Sequence, residues 1–199
     1  MSLRAKLLWA ALLVVLAGGL FYLRSLAKRI VVELPLHSEE SAKARLHEVA
    51  LQSGTGPNVI VVLYFPSLAD RKLVGESRPI KWAQSADDRV RQVLLALVEG
   101  SHQGLSHVLP ASTVVRAVFL TSEGTAYVDF SKDILNSPNP GIESECLSVY
   151  SMVDSITANI PSIKRVKILV QGQEVETLEG HVDLTEAIVP DPSLIQTGP

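Results

Sequence analysis

The feature that most constrains this chain is an uncharged run of 17 residues, LLWAALLVVLAGGLFYL, at positions 7–23. As an α-helix it rises about 25 Å, against a hydrocarbon core of about 30 Å. Lys6 and Arg24 flank it and can carry their charges outward, while Trp9 and Tyr22 stand near its ends, where amphipathic rings suit the lipid interface. A buried helix of a soluble domain is rarely apolar all round. The run therefore predicts a single-pass membrane anchor within residues 1–29. Ala17-Gly18-Gly19 and Ser25-Leu26-Ala27 have the small-x-small form of a cleavage site, so a cleaved, secreted product is the competing reading. The apolar run continues through Leu20, Phe21, Tyr22 and Leu23, which favours retention. No Cys follows it, so there is no site for lipoprotein-type acylation.

Charge divides unevenly along the chain. Residues 1–29 hold Arg4, Lys6, Arg24, Lys28 and Arg29 and no acid, whereas the remaining residues carry 13 bases against 21 acids, a net of −8. So acidic a remainder repels polyanions, which excludes the usual phosphate-contacting mode of nucleic-acid binding. The basic N-terminal tail favours a cytoplasmic N-terminus with the rest of the chain extracytoplasmic, although Arg24, Lys28 and Arg29 pull the other way. A lone cysteine, Cys146, rules out a disulfide framework and any Cys-based zinc site within one chain.

Residues 30–57 read as a stalk. Ala42, Leu46 and Val49 allow a short helix that spaces the domain from the bilayer or pairs with another stalk, and SGTGP at positions 53–57 breaks it. From Asn58 the pattern changes. Residues 59–65 form a continuous apolar, β-branched run closed by Pro66, a buried strand. Residues 73–82 suggest a further short strand, with Pro79 marking an edge or a break. Ser85-Ala86-Asp87-Asp88 resembles a capping box ahead of Val90, Val93, Leu94, Leu97 and Val98, which make the apolar stripe of a helix ending at Gly100. Residues 114–121 and 125–130 form a hairpin around Ser122-Glu123-Gly124. The loop NSPNPG at 136–141 precedes a second helix, capped by Ser144, carrying Val149, Val153 and Ile156 and closed by Pro161. Residues 166–170 and 174–178 make a last hairpin around Gln171-Gly172-Gln173. The order β(β)αββαββ predicts an α+β fold: a mixed, largely antiparallel sheet with two helices on one face, behind an N-terminal transmembrane helix.

Candidate chemistry is sparse. Ser131, His181 and an acid, Asp129 or Asp183, supply the residue types of a hydrolytic triad, but no GxSxG device positions the serine. Asp129-Phe130-Ser131 reads better as a turn bonding local amides, and His181 as a loop residue. His102 and His107 lie five apart without an HExxH helix, and Asp87-Asp88 suits a helix dipole better than a metal. Lys164, Arg165 and Lys167 form a small basic cluster at a strand start, and Glu143 and Glu145 charge the second helix's N-terminus. No glycine-rich phosphate cradle is present. Catalytic, cofactor and metal residues are therefore expected to be none, with Asp129, Ser131, His181, Lys164 and Arg165 as surface candidates.

Several segments in order resemble the GerMN domain family of sporulation and spore-germination proteins. NVIVVLYFPS and LVGESRPI resemble its first strand and the segment after it. RVRQVLLALVEG and GLSHVLPASTVV are similar to its first helix and the following connection, and GTAYVDFSKD to its hairpin arm. VKILVQGQEVETLEGHVDLTEAIVPD resembles the C-terminal signature and is the most specific of these. The match spans residues 58–192, leaving 193–199 as a tail; the acidic, Pro-rich NSPNPGIESE departs from the pattern. The resemblance implies a small extracytoplasmic module tethered to a membrane, serving in envelope assemblies without catalytic activity and akin to ring-building modules of secretion-type complexes. The expected function is thus a non-enzymatic, membrane-anchored interaction module without cofactors. Its expected partners are the membrane, an envelope protein or a second copy. A binder of wall polysaccharide or peptide is the alternative, and an envelope hydrolase the third.

Overall fold

The computed structural model describes residues 56–137 and 140–196. The chain divides into two units, Met1–Ala42 and Lys43–Pro199, and every described element belongs to the second. The expected anchor at residues 7–23 and nearly all of the stalk lie outside the described residues. Among the described residues no helix is long and apolar enough to cross a membrane.

Two ten-residue strands open the domain. β1 (Asn58–Ser67) pairs antiparallel with β2 (Lys72–Lys81) over their full length. Alternate side chains Val61, Leu63 and Phe65 are fully buried in the core. Helix α1 (Ala86–Glu99) starts at Ser85, whose hydroxyl accepts the Asp88 amide at 3.3 Å and donates to the Asp88 carboxylate at 2.8 Å. This is the expected cap, and Val90, Val93, Leu94 and Leu97 are the expected buried stripe.

β3 (Val115–Leu120) and β4 (Thr125–Phe130) form the predicted antiparallel hairpin, with a bulge between Val115 and Ala117. Gly124 at its turn has φ +84°, and a Cβ there would meet the Ser162 carbonyl oxygen at 2.7 Å. Glycine is required at this turn on both counts. After a short 3-10 turn at Lys132–Leu135, helix α2 (Ile142–Asn159) leads to β5 (Arg165–Val170), which pairs parallel with β4. The parallel pair follows from the crossover, because a helix between two strands returns the chain in the same direction. β6 (Gln173–Glu174) closes the sheet order β3-β4-β5-β6. Val118, Val128, Phe130, Ile168 and Val170 join residues of both helices in one core.

Three expectations need correction. There are two sheets among the described residues, because α2 occupies the outer edge of β1 where a strand would continue it. Asn159 Oδ1 accepts the Val62 amide at 2.9 Å and Ser155 Oγ accepts the Tyr64 amide at 2.9 Å. α2 begins at Ile142 with Gly141 as its cap residue, so Ser144 lies inside the helix. The last arm is two residues long, because beyond Glu174 the chain leaves β5 and is gripped by Glu145. It returns at Ile188, whose amide and carbonyl bond the carbonyl and amide of Val166 at 2.8 and 2.9 Å. Residues 195–196 then run beside β2: Ile195 bridges Leu73 in parallel, and the Gln196 amide donates to the Leu73 carbonyl at 2.8 Å.

Candidate functional site

Among the described residues, the buried charged side chains fall in four clusters. In the first, Glu76 and Arg78 share the core-facing side of β2 with Val74 and Ile80, since strand side chains alternate. Arg78 donates to Glu76 at 2.5 Å and to the Ala96 and Gly100 carbonyls at 3.2 and 2.8 Å, and its cation lies 5.8 Å from the Phe65 ring centre. It thereby caps the C-terminal end of α1, which has no basic residue of its own in its last turn. Glu76 accepts from Ser101 Oγ at 2.7 Å and from the His102 amide. Burial pushes its pKa up, but the hydrogen bonds from Arg78, Ser101 and His102 and the Arg78 charge outweigh this and hold it at about 2. Beside the pair opens a cleft of about 620 Å³, lined by Asn58, Pro79, Ile80, Lys81, Gln92 and Leu95 and by Glu99 and His102.

The second cluster contains two predicted residues. Asp129 and Ser131 are buried, not on the surface. Asp129 accepts from Arg116 at 2.9 Å and from the Gly172 amide at 2.7 Å. Ser131 Oγ accepts the Val114 amide at 3.1 Å and donates to Asp133 at 2.9 Å. Both tie β4 to neighbouring backbone, as local amide-bonding turn residues do.

The third cluster is built on Glu145 in the first turn of α2, buried where a helix-end charge was expected. Its carboxylate accepts the Leu178 and Glu179 amides on one oxygen and the His181 amide on the other, each at 2.9 Å. His181 enters this cluster through its backbone, its ring being exposed, and shares no partner with Ser131. Asp183 receives the Thr185 amide and hydroxyl. The predicted basic cluster divides: Lys164 and Arg165 are exposed, whereas Lys167 is buried, donating to the Leu184 and Thr185 carbonyls at 2.9 and 2.5 Å.

The fourth cluster surrounds Asp154 on α2, only 2% exposed. Its Oδ2 is buried with no hydrogen-bond partner. It lines a pocket of about 390 Å³ with Tyr64, Thr157, Lys164, Pro190 and Ile195. Burial, and to a smaller degree the charge of Asp191, pushes its pKa up to about 6. The remaining predicted residues do not converge. His102 faces Glu99 at 3.3 Å, the His107 ring packs on Gly100, and Asp87 and Asp88 occupy the first turn of α1. Glu143 pairs with Arg71 at 3.3 Å. Among the described residues no three His, Cys, Asp or Glu side chains come together as a metal would require.

Glu76, Arg78 and Asp154 were missed by the sequence reading. The first two could have been found, because they share the parity of the apolar positions in their strand. Asp154 could not, since its surroundings combine Tyr64 of β1 with Pro190, Pro192 and Ile195 far along the chain.

The family described as "Sporulation and spore germination" (Germane) matches residues 62–176, more than half of the chain. This chain belongs to that family. Two solved GerMN structures of the sporulation protein GerM from Bacillus subtilis are similar to it. The tandem GerMN domains are 26% identical with a TM-score of 0.55, covering 67% of this chain and 46% of that one. The first GerMN domain alone is 26% identical with a TM-score of 0.53, covering 66% of this chain and 97% of that one. The chain thus spans about half the length of the tandem structure and nearly all of a single GerMN domain. No protein of curated function matches it. The GerMN resemblance read from the sequence is borne out, and with it the α+β class with two helices. In this GerMN domain the first three clusters bond backbone amides or carbonyls of the domain itself.

Proposed function

We propose that this GerMN domain is a non-enzymatic interaction module, held at the bacterial envelope by the segment at residues 7–23 and acting outside the membrane in a multi-protein assembly. The observation that carries the reading is the direction of its polar groups. Asp129, Ser131 and Glu145, the residues best suited to chemistry, are buried and bonded to backbone amides of their own fold. On the outside of the domain, Phe119 is 63% exposed on β3, the outer strand of its sheet, beside Leu120. Apolar side chains on an outer strand suit contact with another protein. Confinement to a membrane would raise the local concentration of such a surface for its neighbours.

Photo-crosslinking of the full-length protein in membranes, with the probe at position 119, tests this. The expected result is a discrete adduct with an envelope protein or a second copy, absent with the probe at exposed Lys132. Turnover of an ester, peptide or glycan by the same preparation, abolished by Ser131→Ala, would refute it. The second reading, a wall-polymer binder, draws on the register of Phe119 opposite Tyr127, two rings on the outward face of the sheet. Co-sedimentation with isolated cell wall, lost in Phe119→Ala, would favour it.

A further inference from the structure

Residues 190–196 form an arm with a firm origin and a weak hold. At its origin Ile188 makes both hydrogen bonds with Val166. Beyond Pro190 the arm crosses α2, makes a short 3-10 turn at Pro192–Leu194 and ends against Leu73 of β2. No residue of the arm is buried. Its hydrogen bonds to the rest of the domain are the Lys72 ammonium to the Ser193 carbonyl at 2.6 Å and the Gln196 amide to the Leu73 carbonyl at 2.8 Å. So few hydrogen bonds, with no fully buried side chain, place it at the low end of local stability.

The arm is also what lies over Asp154. Facing that carboxyl are Tyr64 from β1, Tyr150 one turn back on α2, Asp191 from the arm, and Lys164 from the segment after α2. The ammonium of Lys164 donates to the Pro161 carbonyl at 2.6 Å, Asp191 repels a second negative charge, and Asp154 Oδ2 has no donor. An ionised carboxyl enclosed this way is costly, whereas a neutral one is tolerated.

We propose that residues 190–196 are a proton-controlled strap: protonation of Asp154 lets the arm lie down over α2 and β2, and ionisation loosens it. The strap covers the backbone edge of β2 at Leu73. Next to it, by the alternation of an antiparallel pair, Gly75, Ser77 and Pro79 direct their backbone groups away from β1, as Val62 and Tyr64 do opposite β2. Loosening therefore lengthens an exposed strand edge of the kind that accepts a further strand. The sign follows from linkage. With the Asp154 pKa at about 6 in the docked state and closer to its ordinary 3.8 in the released one, docking is strongest below about pH 4. It weakens as pH rises through 6 and is level above that.

Hydrogen exchange of the full-length protein, corrected for the intrinsic pH dependence, measures this directly. Protection of the Gln196 amide should fall by between threefold and about 30-fold from pH 4.5 to 7.5, while that of the Val166 amide, upstream of the arm, stays constant. Asp154→Asn should abolish the fall, and Asp191→Asn should reduce it. Ile195→Asp should leave Gln196 unprotected at both pH values with Val166 intact, giving the signal of a released arm. A wild-type fall of less than threefold, or an undiminished fall in Asp154→Asn, overturns the proposal. Should Asp154→Asn lose Val166 protection and so fail to fold, Asp191→Asn decides: an unreduced fall in it overturns the strap.

Discussion

The side-chain amide of Asn159 pairs with the backbone of Val62 as a neighbouring strand would, donating to its carbonyl at 2.7 Å and accepting its amide at 2.9 Å. Ser155 and Ser151 do the same for the amide and carbonyl of Tyr64. The spacing works because four helical residues rise about 6 Å and two strand residues about 6.6 Å, so a stripe at i, i+4, i+8 stays in step with alternate strand positions. Helix α2 thereby closes the edge of β1 without extending a sheet.

Replacing Asn159 by Leu leaves a half-buried amide and carbonyl of Val62 without their side-chain partners. Urea denaturation should show a loss of about 1–2 kcal/mol with an unchanged m-value. Asn159→Asp, which keeps the acceptor and loses the donor, should lose less.

The Glu76–Arg78 pair should behave as a buried ion pair whose halves cannot be removed singly. Arg78→Met alone should cost about 3–5 kcal/mol, and Glu76→Gln with Arg78→Met less than the separate costs combined, as a double-mutant cycle reads. Because the Glu76 pKa is held at about 2, below its usual 4.5, its contribution is complete above pH 4.5 and is lost as pH falls toward 2. The acid limb of a stability–pH profile should flatten in Glu76→Gln.

Glu145→Ala removes the acceptor of three loop amides. Exchange at Leu178, Glu179 and His181 should accelerate together, with a global cost of about 3 kcal/mol, whereas Glu145→Gln should keep part of the protection.

Ser131→Ala leaves the Val114 amide unpaired beside β4. A stability loss of about 1–2 kcal/mol by thermal or chemical melting is expected, with cross-linking at position 119 unchanged. Loss of cross-linking without loss of stability would give Ser131 a direct role in the contact surface.

Much of the fold was legible because helices and strands announce themselves over short distances. The stripe from Val90 to Leu97, the Ser85 cap and the Gly124 hairpin are local patterns, and each stands where it was expected. The polar residues were harder to read. Ser131 and Asp129 carry the types of a reactive pair, yet their partners are amides at Val114 and Gly172, the latter 43 positions away, which no spacing rule reveals. Glu145 likewise reads as a helix-end charge until the loop at 178–181 folds onto it.

From its own residue order this protein determined its element types, its family and the alternation that buries Val61, Leu63 and Phe65, because periodicity and capping are decided between near neighbours. The division into two sheets, the parallel course of β5 beside β4 and the burial of Asp154 were decided only in three dimensions. Each depends on which backbone edge or carboxyl a distant segment covers, and that is settled by packing the whole core at once.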